Sequence, residues 1–201
     1  MAEFEGKLGT VNVSFLERAD VYWSHILAIL APGRAPKMFV LGGTDPAGMA
    51  GWLDSDLERI AELGSRQLAR QRSDLEAIRG RAQFALTMNI ALLGVGATLL
   101  PTVGANLLAF VIWCVGMAGL LLSMLGAAGV LVAKKDLGMV DTANMSHQDP
   151  DNLAVFAKAT VESTHQGEVT VATNITVFRD SIAVGIYGFV VACAAWMVAI
   201  H

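Results

Sequence analysis

The side chains in this 201-residue sequence that could do chemistry are few and far apart. Catalysis needs a nucleophile beside a base, an acid–base pair or a metal cluster. There are four histidines and two cysteines. None of the histidines stands at a usable spacing from Cys, Asp or Glu. His25 lacks a second ligand at metal-binding spacing and reads as structural; His165 is isolated and reads as solvent-facing. Cys114 and Cys193 both lie in apolar stretches and read as buried small hydrophobes, the usual fate of a free thiol. Their number and spacing support neither a disulfide framework nor a zinc site. The expectation is a non-enzymatic protein without cofactor or metal.

One glycine-rich run, Gly42 to Gly51, has a composition suited to holding phosphate on backbone N–H groups. It resembles the phosphate loop of ribokinase-type kinases, but no βαβ unit surrounds it, and the run reads as a linker. What remains are polar and small residues set in apolar sequence. Asn89 is the one strong polar side chain in the first apolar stretch; there an Asn can fix helix register or line a pathway, and register is the preferred role. Thr87, Thr98 and Ser123 join it as candidates for a water-tolerant face. Gly116, Gly119, Ser123 and Gly126 recur at three- and four-residue steps, as do Gly185, Gly188 and Ala192 further on. Small residues at that spacing let helix backbones approach closely in lipid. Arg79, Arg81, Lys134 and Lys135 flank the apolar stretches. They read first as topological charges and second as partners of anionic lipid headgroups.

These residues need elements to carry them. No Asp, Glu, Lys or Arg occurs from Ala82 to Ala133, nor from Ser181 to Ile200. Hydrophobic residues make up 54% of the chain and charged ones only 16%, which places it among membrane proteins rather than soluble ones. The pattern predicts an all-α integral membrane protein with three transmembrane helices, two of them extended into long cytoplasmic helices. The expected segments are a soluble or interfacial N-terminal region (1–51), a cytoplasmic helix (52–81), spans at 82–103, 107–133 and 181–200, and a cytoplasmic loop and helix between (134–180). In the N-terminal region, Ser14 and Glu17 form a capping-box pattern ahead of a short helix stopped by Pro32 and Gly33.

Two seams run through the soluble and membrane parts without a break. The first takes Leu57, Ile60, Gly64, Leu68, Gln71, Leu75, Ile78 and Ala82, then Ala85, Asn89, Leu92, Gly96 and Leu99. It predicts one helix from Trp52 to Leu100, roughly 70 Å long at ~1.5 Å per residue. The second takes Leu153, Phe156, Thr160, Thr164, Gly167, Val171, Ile175, Phe178 and Ile182, then Gly185, Gly188, Ala192, Ala195 and Ala199. The two rods are expected to run parallel as a coiled stalk, with the middle span antiparallel beside them.

All 14 Lys and Arg residues fall in segments assigned to the inside. The expected topology is therefore multi-pass in the inner (plasma) membrane, N-terminus cytoplasmic and C-terminus outside. The polar, acidic start of the sequence fits a cytoplasmic N-terminus. A net charge of −4 argues against a nucleic-acid partner. The expected partners are membrane lipids, further copies of the chain, and a cytoplasmic protein or nucleotide as trigger. Cys114 and Cys193 should lie at similar depth, each about 10 Å from the outer end of its span.

The order of these parts carries a resemblance. A soluble helix leads into a two-helix hairpin at Leu75 to Ala133, and a long helix rich in small residues and Thr follows at Leu153 to Arg179. This layout, over roughly residues 70 to 200, resembles the small membrane effectors of bacterial anti-phage defence of the SLATT and Pycsar-effector type. The third span departs from the two-span SLATT pattern, and no nucleotide-sensing part can be placed on these residues. The resemblance implies a protein that impairs the membrane after a nucleotide signal or a partner's cue. The residues alone also admit a structural or regulatory membrane subunit, or a phage exclusion protein, that anchors a cytoplasmic partner.

Overall fold

A computed structural model describes residues 14–31, 34–39, 52–132 and 153–200. Within them the chain forms helices α1 (Phe15–Leu30), α2 (Asp54–Thr98), α3 (Leu100–Val103), α4 (Leu107–Val132) and α5 (Leu153–Ala199). The glycine-rich run Gly42–Gly51 and the lysines Lys134 and Lys135 lie outside the described residues.

Each helix starts and stops where local chemistry dictates. The Ser14 side chain accepts the Glu17 N–H at 3.2 Å and caps α1. Helix α2 opens on Asp54 and Asp56, whose charges complement the positive end of the helix dipole. It gives way to the one-turn α3, which holds Pro101 in its first turn. Asn106 then accepts the backbone N–H groups of Leu108 and Ala109 (3.0 and 3.4 Å), starting α4.

Helix α5 is continuous over 47 residues although it is rich in residues of middling helix propensity. Its hydroxyls reach back to their own helix. Thr160, Thr170, Thr173 and Ser181 donate to the carbonyls of Phe156, Gln166, Val169 and Val177 at 2.8–2.9 Å. A hydroxyl satisfied this way can be buried without a partner on the neighbouring helix.

The first seam is seen as expected. Leu57, Gln71, Leu75, Ile78, Ala82, Asn89 and Gly96 are buried, and the positions between them on the seam are half-buried. The second seam needs a correction. Between Thr170 and Ser181 the buried positions are Thr170, Thr173, Asn174, Val177 and Ser181, while Ile175 and, just beyond, Ile182 are 40% and 39% exposed; the seam is buried again at Gly185, Gly188, Ala192 and Ala195. Here the small, self-bonded polar residues face inward because they let other backbones close in. The β-branched isoleucines face out.

Helices α2 and α5 run parallel in a fixed register. Gly64 sits against Thr160, Gly167 against Gln71, and Gly185 against Asn89. At each level a glycine on one rod receives a polar side chain from the other, always 96 residues apart. Helix α4 returns antiparallel, with Gly116 and Gly119 against Gly188 and Gly126 against Ser181. Helix α1 lies across the lower part of this bundle. Val21, Tyr22 and Ile26 form a buried cluster there with Phe39, Ile78, Ala82, Val130 and Val177.

Among the described residues two helices are long and apolar enough to cross a membrane: α4, with mean hydropathy 2.3, and α5, whose most apolar part reaches 2.2. Both keep most of those residues on the outside of the bundle, where a soluble core helix would bury them.

Candidate functional site

Three of the residues singled out in the sequence meet at one level. Asn89 on α2 donates from Nδ2 to the Ser123 hydroxyl of α4 at 2.9 Å. Gly185 of α5 lies directly opposite: a Cβ there would fall 2.6 Å from Ser123 Oγ and 3.4 Å from Asn89 Oδ1. Asn89 is 7% exposed and Ser123 2%. An isolated amide in apolar surroundings would be costly. Paired with Ser123 it fixes the register of α2 on α4, and the missing side chain at Gly185 lets α5 close over both.

Above this node the backbones of α4 and α5 touch. A Cβ at Gly188 would stand 2.7 Å from the Leu120 nitrogen and 2.8 Å from the Gly116 carbonyl oxygen; one at Gly116 would stand 2.6 Å from the Ala192 nitrogen. Gly116, Gly119, Gly188 and Ala192 stand where the two backbones approach. Near the same end, the Trp113 indole N–H donates to the Gly96 carbonyl at 3.2 Å.

Below the node the stripe on α4 changes partner. Gly126 faces both Ser181 and the Tyr22 ring of α1, and Gly129 faces His25. The Tyr22 hydroxyl donates to the Leu122 carbonyl at 2.9 Å, and Arg18 pairs with Asp180 of α5. Burial raises the Tyr22 phenol above its usual range; a hydrogen bond with Ser181 opposes the rise and the Asp180 carboxylate adds to it. His25, 1% exposed, uses Nδ1 to bond the Val21 carbonyl at 2.9 Å, and its Nε2 has no hydrogen-bond partner among the described residues. Burial pulls this imidazole below its usual value of 6.5, while the Val21 bond pulls the other way.

The α1 clamp was missed in the sequence. Val21, Tyr22, His25 and Ile26 mark one helical face, but nothing local to it says that the ledge of Gly126 and Gly129 receives it. Helix α1 also carries Glu17, Arg18 and Asp20, charges that read as those of a soluble or interfacial helix.

The remaining expectations divide. Thr87 and Thr98 are exposed and bond the Gln83 and Val95 carbonyls of their own helix (3.0 and 2.7 Å), so they do not join Asn89 and Ser123. Cys114 and Cys193 are exposed, contrary to the expected burial. The glycines and alanine beside them take the crossing, and a thiol is too bulky for backbones in contact. Arg81 is exposed and Arg79 half-buried. Among the described residues no group of three or more His, Cys, Asp or Glu could hold a metal ion.

Comparison with known families gives one match. The family model of the Pycsar effector protein domain aligns with residues 64–174, more than half of the chain. That span takes in the lower rods, the node's Asn89 and Ser123, and all of α4. No curated protein and no solved structure matches.

Proposed function

The chain belongs to the Pycsar effector family, and on that premise we propose that it is a membrane effector of anti-phage defence whose bundle oligomerises and perturbs or perforates the bilayer. In this reading α2 contributes a third span from Ala82 onward, continued through α3, within the ~17–25 residues a spanning helix needs. The lower halves of α2 and α5 form a cytoplasmic stalk of two parallel rods. The positive residues mark the inner side, and Trp113 and Trp196, on neighbouring levels of α4 and α5, form an aromatic belt at the outer one. The N-terminus is then cytoplasmic and the C-terminus outside, in the inner membrane.

The observation that carries this reading is the fixed register of the rods. Gly64 with Thr160, Gln71 with Gly167 and Asn89 with Gly185 tie stalk and membrane part into one unit. A cue arriving at the stalk, a nucleotide or a cytoplasmic protein, would move the node without an intervening hinge. Induced expression in bacteria with a membrane-potential dye tests it. Depolarisation and growth arrest on phage challenge support the effector. Unchanged potential and growth, with the protein present in the membrane, would leave a subunit that only anchors a partner.

A further inference from the structure

An open groove of about 780 Å³ runs between α2 and α5. Its walls are apolar: Phe84 and Met88 from α2, Ile182, Ile186 and Phe189 from α5. Phe84 and Ile186 are 69% and 58% exposed. The floor is the Asn89–Ser123 pair, tied by the bond from Asn89 Nδ2 to the Ser123 hydroxyl. One end is charged. Arg81 lines that end and has no ion-pair or hydrogen-bond partner among the described residues. It stands immediately before the first charge-free residue, Ala82. Gly80 beside it leaves the mouth open, since a Cβ there would meet nothing within 4 Å.

We propose that this groove is a binding site for an anionic phospholipid, its acyl chain lying along Phe84, Met88 and Ile186 and its phosphate on Arg81. The inference rests on the membrane reading above, which sets Arg81 at headgroup depth. The complementarity is specific: an apolar trough, a floor whose amide N–H is already bonded to Ser123, and a guanidinium without a partner among the described residues at the level where acyl chain gives way to phosphate. Arginine meets phosphate with a planar fork of donors, which favours an anionic headgroup.

The test uses the full chain in mixed detergent micelles with equal phosphatidylglycerol and phosphatidylcholine of the same acyl length. Retained lipid is counted by native mass spectrometry. The wild type should retain phosphatidylglycerol preferentially. Arg81→Gln should lower that retention about fivefold, the contribution of one basic residue near an anionic surface, and leave phosphatidylcholine unchanged. Gly80→Leu, which gains helix propensity and whose Cβ meets nothing within 4 Å, should fill the mouth and reduce both lipids while the helix content holds. Equal retention of the two lipids by the wild type overturns the proposal, as does wild-type retention by Gly80→Leu. Displacement of the lipid by inorganic phosphate alone would also overturn it, by showing a headgroup site without an acyl trough. So would disulfide crosslinking of Phe84→Cys between chains, in a Cys114→Ala, Cys193→Ala background, which would place a second copy in the groove. Alkaline extraction of wild-type membranes separates the two claims: release of the chain refutes the membrane reading, whereas retention together with a negative lipid result refutes the groove alone.

Discussion

Replacing Gly188 with Ala and, separately, Gly94 with Ala asks the same chemical change of two sites the structure treats oppositely. Both glycines lie inside helices, so Ala gains about 0.8–1.0 kcal/mol of helix propensity at each. At Gly94 the new methyl meets nothing within 4 Å. At Gly188 it would stand 2.7 Å from the Leu120 nitrogen and 2.8 Å from the Gly116 oxygen. Both are backbone atoms, which cannot swing aside. Reaching ordinary contact requires α4 and α5 to part by about 0.7 Å, and a radial gap of that size already forfeits a quarter to a half of each dispersion contact along the seam. Overpacking of this kind costs about 1–3 kcal/mol, and in lipid no hydrophobic term between helices makes up the loss. Gly94→Ala should therefore be slightly stabilised and Gly188→Ala destabilised, a gap of about 2 kcal/mol or 4–8 °C in Tm for a chain of this size. Thermal unfolding followed by far-UV circular dichroism in one detergent measures it. Coincident melts would refute the backbone contact at Gly188.

Tyr22→Phe removes the bond to the Leu122 carbonyl and should weaken α1 docking by about 0.5–1.5 kcal/mol, read as faster protease cleavage within α1 while the rest of the bundle stays protected. Docking should also depend on pH through His25. Its folded value is lowered from 6.5, so undocked α1 takes up the proton first. Stability is then full above about 6.5 and is lost as pH falls below it toward the folded value; His25→Gln should flatten the dependence of the same protease assay over that range. Cys114 and Cys193, both exposed, face lipid in the membrane reading; they should resist an aqueous maleimide in intact membranes and each react after denaturation in SDS, the adducts being counted by mass spectrometry.

The two rods were legible in the sequence because their seams are long and unbroken, and no proline intervenes before Pro101. The small-residue stripes on α4 and α5 were legible for the same reason, and Asn89 stood out as polar among apolar neighbours. The misplaced stretch of α5 shows where that logic ends. Choosing Ile175 and Ile182 followed the rule that apolar residues turn inward. In the stalk, where Ile175 lies, the inward positions go to Thr173 and Asn174, whose polar groups bond their own helix; in the charge-free stretch that holds Ile182 both sides are apolar, and small residues mark the inward one. The exposed cysteines follow from the same fact, because an apolar neighbourhood in a spanning helix carries no information about which way a side chain faces. The α1 clamp depends on contacts more than 90 residues apart in the chain, such as Tyr22 with Leu122 and Arg18 with Asp180. No local pattern specifies those.

Membrane potential in cells expressing the wild type, Gly188→Ala or Gly94→Ala at equal membrane levels under phage challenge tests the central claim most directly. If the bundle is an effector that acts through its α4–α5 crossing, the wild type and Gly94→Ala depolarise the cell and Gly188→Ala does so far less. Depolarisation by none of the three, or by all three alike, would contradict the account.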